Sequence, residues 1–314
     1  MQYRNLGRSG LRVSVVGLGC NNFGARIDDA AAKAVIHKAF DVGINLLDTA
    51  DIYGNSGGSE TTMGGILGDR RKDIVLATKF GMAMGQGEYT SGASRRYIVS
   101  ALEASLKRLK TDWIDLYQLH KPDPLTPIDE TMRALDDLVR SGKVRYIGCS
   151  NLSAWQVVDA NWNAAHNGLT PFISAQDELS LVVRKHEAEL LPALAAKGIG
   201  LLPYFPLANG LLTGKYKRDA AMPVGARMTK APDRAQQVLT EENWRIVESL
   251  TDFAAVRGHT VLELAFSWLA AKAAVASVIA GATSAEQVEA NAKAASWALT
   301  PAEVAEIDTI ATKR

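Results

Sequence analysis

The sequence predicts an α/β fold, a (β/α)8 barrel entered through an N-terminal hairpin and followed by extra C-terminal helices. Three observations carry this. Short apolar runs read as strands at residues 15–19, 45–48, 74–78, 114–119, 144–149, 173–176, 199–203 and 277–279. Helical segments separate them at 29–42, 59–67, 95–109, 128–141, 154–167 and 187–196. No Pro/Ser-rich linker or low-complexity tract interrupts the alternation, so residues 1–314 read as one domain. Eight alternations fit a closed barrel or a doubly wound sheet, and the steady strand spacing favours the barrel.

Each element has a local reason. Residues 2–6 and 11–14 flank Gly7-Arg8-Ser9-Gly10, a turn that would join them as a hairpin. The first helix places Val35, Ile36, Ala39 and Phe40 on one face and stops at Gly43, a suitable residue just past a helix end. Ser153 with Gln156 three residues later forms a capping box for the helix at 154–167. After Pro203 the pattern breaks into a Gly- and Pro-punctuated stretch to about Thr240, with helices following at 241–256 and 261–271. Long irregular insertions in compact folds are usually functional or disordered. Lys215, Lys217, Arg218, Arg227 and Lys230 make this one a candidate strap over an anionic ligand. The last strand leads through Gly281-Ala282-Thr283-Ser284 into a helix at 285–294, and a helix N-terminus is a natural phosphate site.

Bulk properties exclude several classes. With 35 basic and 34 acidic residues, the net charge of +1 leaves no footprint for nucleic acid or an anionic membrane. The 47% hydrophobic content suits a globular protein with a sizeable core. The N-terminal apolar run is too short for a signal peptide, and no apolar stretch is long enough to span a bilayer. Cys20 and Cys149 lie far apart, outside any CxxC or His-paired setting, which points to reduced thiols and the cytoplasm. No coiled-coil pattern implies an oligomer.

Four polar residues stand out. Asp48, Lys79 and His120 close apolar runs, and Tyr53 follows the first of these closely. Polar groups at the C-terminal ends of successive parallel strands fall on the side where α/β active sites form. Together they suit carbonyl reduction without a metal. Tyr53 would donate the proton, but a free phenol titrates near 10 and needs help. The Lys79 ammonium would lower that value, Asp48 would hold the ammonium, and His120 would add a hydrogen bond to the growing oxyanion. Any one of these residues alone is more often structural; four complementary groups are harder to dismiss.

The segments GINLLDTADIYGNSGGSE, LATKFG, DLYQLHKPDP, GCSNLSAWQ and PYFPLANGLLTGKY resemble, in order, the signatures of the aldo-keto reductases. The resemblance runs from about Tyr3 to the final helix. It implies a (β/α)8 TIM barrel, NADPH, and a catalytic tetrad falling on Tyr53, Lys79, Asp48 and His120. It also implies that Ser150, Asn151 and Gln176 hold the nicotinamide carboxamide, that Tyr204 lies against its ring, and that Phe205, Pro206, Leu207, Ala208 and Asn209 run along the diphosphate. Asn21, Asp48 and Tyr53 join the cofactor set, as do Lys215, Arg227, Gly281, Thr283, Gln287 and Asn291 at the adenosine end. Two departures bear on that end: Gln287 stands where many members have Arg, and Ala290 replaces a common Glu, with Glu289 one position away. A small-molecule carbonyl compound is the expected partner, in a pocket walled by Phe23, Phe80, Met82 and Met84.

Two alternatives compete. Gly17-Leu18-Gly19-Cys20-Asn21-Asn22 begins like G-x-G-x-x-G, but Asn22 replaces the third glycine and the next helix starts too late. These glycines read as close-packing positions. The potassium-channel β subunits share the resemblance but carry Asn at the position of His120, so an NADPH-binding partner subunit is the second functional reading.

Overall fold

The computed structural model describes residues 1–312. Strands β1 (Tyr3–Asn5) and β2 (Arg12–Ser14) form the antiparallel hairpin, with Tyr3 opposite Ser14. Its Leu6 and Val13 are fully buried with Leu46, Val75, Ala77, Leu116 and Leu202, which closes the N-terminal end of the barrel with apolar side chains. Gly7 fits there because its φ is +57° and a Cβ would lie 2.5 Å from the Ile173 carbonyl oxygen.

The alternation then runs β3 (Val16–Gly19), α1 (Asp29–Asp41), β4 (Leu46–Asp48), α2 (Tyr53–Ile66), β5 (Val75–Phe80) and α3 (Arg95–Leu109). It continues through β6 (Ile114–Leu119), α4 (Ile128–Arg140), β7 (Val144–Ser150), α5 (Ala154–Asn167), β8 (Phe172–Gln176), α6 (Leu190–Lys197) and β9 (Gly200–Leu201). Helices α7 (Pro232–Val238), α8 (Glu241–Ala255) and α9 (Val261–Ala271) precede β10 (Val278–Gly281), with α10 (Ala285–Ala294) and α11 (Pro301–Ile310) last.

Eight parallel strands neighbour one another in the order β10-β3-β4-β5-β6-β7-β8-β9. The ring is completed where Leu201 N–H donates to Ala274 O at 2.7 Å, Ala276 N–H to Leu201 O at 2.9 Å and Ile279 N–H to Pro203 O at 3.1 Å. The predicted (β/α)8 barrel with hairpin and extra helices is therefore the fold. Gly17 and Gly19 lie inside β3, where a Cβ would press on Ser277 and Leu46, or on Ile279, at 3.0–3.2 Å. They serve strand packing, as expected.

One helix start moved. The helix expected at 187–196 begins only at Leu190, after a 3-10 turn at Lys185–Glu187. Pro192 explains this, because its missing N–H is tolerated only in a first helical turn. Within α2, residues 54–57 all have positive φ, so regular helix starts near Ser59, where the sequence placed it. Among the described residues, no helix is long and apolar enough to cross a membrane.

Candidate active site

Strand register brings the polar residues together. Asp48 ends β4 beside Ala77 of β5, and Lys79 of β5 stands opposite Gln118 of β6. His120 follows β6 directly, its N–H bonded to Phe80 O at 2.8 Å. The turn after β4 is pinned to β5 through Thr49 N–H to Ala77 O at 2.9 Å and Asp51 N–H to Lys79 O at 3.1 Å. That turn folds Tyr53 back over Lys79, whose Nζ lies 4.9 Å from the ring centroid. The positive-φ run at Gly54–Gly57 then lets the chain leave into α2 without covering the phenol.

The core of the site is a buried ion pair. Lys79 Nζ donates to Asp48 Oδ2 at 2.7 Å and to Thr49 O at 2.8 Å, with the lysine side chain fully buried. Asp48 Oδ1 accepts Gln176 Nε2 at 2.9 Å and Gln118 Nε2 at 3.3 Å. Each carboxylate oxygen is thus satisfied, as a buried charge requires. Gln118 escaped the sequence reading; the only local trace of it is an amide inside an apolar strand run, and its full burial appears only in the fold. The His120 ring meets Tyr53 edge-on at 5.7 Å between centroids. The structure therefore brings all four predicted residues into one cluster.

Electrostatics follow from burial. Desolvation pulls the Lys79 ammonium down, but Asp48 and the Tyr53 oxygen outweigh it, so its affinity for the proton ends above the usual value. Burial, helped by Lys79 and Lys121, brings the His120 imidazole down to about 3, so the ring is neutral at physiological pH. Tyr53 corrects the expectation. Burial pushes its phenol above the ordinary value, and Lys79 offsets only part of that rise. The ammonium counteracts desolvation rather than producing a net-acidified phenol.

Above this cluster opens a cavity of about 980 Å3, lined by Asp48, Tyr53 and His120 together with most of the expected cofactor residues. Ser150, Asn151 and Gln176 form one frame. Ser150 Oγ donates to Gln176 O at 2.7 Å, and Asn151 Nδ2 donates to His120 O at 3.0 Å and Ser150 Oγ at 2.9 Å. Tyr204 is anchored by its hydroxyl to Asn151 Oδ1 at 2.8 Å, which presents the ring to the cavity. Asn21, Phe205, Pro206, Leu207, Asn209, Gly281, Thr283, Gln287 and Asn291 also line it. Thr283 N–H and hydroxyl both donate to Gln287 Oε1, so Gln287 organises the loop before α10. Glu289 is turned away to Lys293 and Lys38 and does not substitute for a carboxylate at Ala290.

Several expectations require correction. Phe23 and Phe80 are fully buried in the core outside the barrel, with Phe80 stacked on Tyr117 at 4.7 Å, and neither walls the cavity. Met82 and Met84 are half-buried in the loop after β5 and do not line it either. Ala208 is buried and does not line the cavity. Of the strap cations, Arg218 is turned to Glu241 and Glu248, and Lys217 does not reach the cavity. Lys215, Arg227 and Lys230 line it, joined by Arg26 from the loop after β3, which the sequence reading missed. An isolated arginine in a polar loop carries little signal by itself.

The family of aldo/keto reductases matches residues 15–312 of the chain. The chain is 40% identical over 302 residues to a probable voltage-gated potassium channel subunit beta of Oryza sativa subsp. japonica, covering 94% of this chain and 91% of that one. It is 36% identical over 305 residues to L-glyceraldehyde 3-phosphate reductase of Escherichia coli O157:H7, covering 94% and 87%. An uncharacterized oxidoreductase of Bacillus subtilis is 38% identical over 304 residues, with 94% and 91% covered. Both the buried Asp48–Lys79 pair beneath Tyr53 and the extent of these matches place the chain in the aldo/keto reductase family.

Proposed function

We propose that the protein reduces aldehydes or ketones to alcohols with NADPH, reversibly, with Tyr53 as proton donor. The observation that carries this is the arrangement of Tyr53 and His120 at a cavity floor, over a fully satisfied Asp48–Lys79 pair. The cofactor, when bound, supplies the hydride. A carbonyl oxygen would lie between the Tyr53 hydroxyl and the neutral His120 ring, so two donors meet the charge that develops there. As Tyr53 gives up its proton, the nearby ammonium stabilises the phenolate, and Asp48 fixes that ammonium in place.

The residues present fit the cofactor. Arg26, Lys215, Arg227 and Lys230 line the cavity with no carboxylate partner among the described residues, and Asp48 is the only acid lining it. Desolvation lowers the proton affinity of both Lys215 and Arg227, helped at Lys215 by the charges of Arg227 and Arg26 and at Arg227 by those of Arg26 and Arg234, so an anion beside them would relieve the cluster. Asn209 Nδ2 and His120 Nδ1 are buried without hydrogen-bond partners among the described residues, and both residues line the cavity. This excess of cations suits the extra phosphate of NADPH over NADH.

A partner-subunit role is the second reading, favoured by the likeness to the plant channel subunit. The presence of His120 beside Tyr53 favours catalysis. The test is NADPH oxidation across a panel of aldehydes, ketones and sugars, including a phosphorylated triose aldehyde. NADPH binding without turnover of any carbonyl compound would reject the enzymatic reading in favour of the second.

A further inference from the structure

Behind Tyr53 and Lys79, outside the barrel wall, α2 and α3 pack on β5 and β6 around polar groups that the chemistry above does not use. Glu60 of α2 is fully buried, accepting the Thr78 hydroxyl at 2.5 Å and the Arg108 guanidinium of α3 at 2.7 Å. Asp51, in the turn before Tyr53, is 1% exposed. Neither of its carboxyl oxygens takes a side-chain hydrogen bond or an ion pair among the described residues, and the adjacent Ile52 backbone N–H only partly relieves the group. Six titratable groups face it: Tyr53, Lys79 of β5, Glu60 of α2, Arg108 and Tyr97 of α3, and Tyr117 of β6. The Tyr97 hydroxyl donates to Met82 O at 3.3 Å, and the buried Tyr117 hydroxyl has no partner among the described residues.

The charges do not balance. Asp48, Asp51 and Glu60 are three carboxyl groups, against two cations, Lys79 and Arg108. Lys79 is committed to Asp48 and Arg108 to Glu60. The third carboxyl group has no cation paired with it, and the Ile52 backbone N–H beside it, with Arg108 and Lys79 further off, offsets only part of the cost of its burial. A carboxylate buried in that way resolves its cost by keeping a proton.

We propose that Asp51 is a positioning residue that holds a proton in the active enzyme and releases it as pH rises, the charge so created weakening Tyr53 as a proton donor. Desolvation and then the charge of Glu60 push the Asp51 carboxyl up to about 7, which places the release within an assay range. Asp51 in its charged form also raises the Tyr53 phenol, which is the sign required. The kinetic half of this proposal rests on the reading of Tyr53 as donor; the protonation of Asp51 does not.

Three measurements on the full chain test it. Infrared difference spectra between about pH 6 and about pH 8.5 should show loss of a buried carboxylic acid band that Asp51→Asn lacks. A folded-state carboxyl raised above its unfolded value binds an extra proton in the native state, so stability falls as pH rises between the two values. The wild-type melting temperature should therefore drop relative to Asp51→Asn as pH rises from about 5 to about 8.5. In turnover, the alkaline fall of roughly tenfold should flatten in Asp51→Asn. Glu60→Gln frees Arg108 for Asp51 and should move the same fall to lower pH. An unchanged acid band in Asp51→Asn, or melting profiles that run parallel across pH, overturns the proposal. Should Tyr53→Phe prove fully active, the donor reading falls, while the infrared and melting results still decide the state of Asp51.

Discussion

Replacing Lys79 by Met removes the cation at the centre of the site. The ammonium is fully buried and bonded to Asp48 Oδ2 at 2.7 Å and Thr49 O at 2.8 Å. Deleting one partner of such a pair leaves a buried charge and costs about 3–5 kcal/mol. Gln118 and Gln176 still donate to Asp48 Oδ1, so the lower figure applies. Because the entropy of unfolding grows with chain length, a loss of about 3 kcal/mol lowers the melting temperature by roughly 5 °C. Adding Asp48→Asn removes the stranded charge and should return much of that stability. Turnover should behave differently. Burial already holds the Tyr53 phenol high, and Lys79 is the first influence pulling it back. Without the ammonium, kcat should fall by about 10²-fold or more, and the pH dependence due to the phenol should flatten. The double variant should melt nearer to wild type yet stay inactive, whereas Asp48→Asn alone should be milder than Lys79→Met. The assay is steady-state NADPH oxidation with an aldehyde, run below the melting temperature of each variant alongside circular dichroism. A folded Lys79→Met protein with wild-type turnover or an unchanged pH profile would refute the coupling between Lys79 and Tyr53.

Other expectations follow from the same geometry. Tyr53→Phe should bind NADPH with kcat lowered by roughly 10²-fold or more, and near-normal turnover of an aldehyde would remove Tyr53 as donor. Cofactor preference should rest on Lys215 and Arg227: two charged contacts at about 1.5 kcal/mol each, the low end because Lys215 is exposed, give roughly 10²-fold for NADPH over NADH. Measured kcat/KM should show that ratio collapse in a Lys215→Ala, Arg227→Ala variant, and equal wild-type values for the two cofactors would contradict it. His120, brought down to about 3, should stay neutral by NMR well below pH 6. Its folded value lies below the unfolded one, so it contributes stability at neutral pH that is lost as pH falls through the range between them. Removing the imidazole by His120→Asn should therefore shallow the acid side of the melting profile, and a ring titrating near 6.5 would refute the assignment.

The sequence by itself determined the alternation of strands and helices, the hairpin, the irregular stretch after Pro203 and the four polar residues that the fold gathers into one cluster. Those signals are local: apolar runs of strand length, capping residues such as Ser153 with Gln156, and polar groups at strand exits. Tertiary structure decided which way side chains face and what burial does to their charge. Phe80 follows Lys79 by one residue in a strand, so it must point to the opposite side, out of the barrel and onto Tyr117. Arg218 and Arg227 look alike in the strap, yet Glu241 and Glu248 on a later helix draw one away, and the cavity receives the other. Gln118 and Arg26 entered the site only when distant segments met. The net rise at Tyr53 and the stranded carboxyl of Asp51 depend on the water excluded around them, which is a property of packing in three dimensions and not of neighbours along the chain.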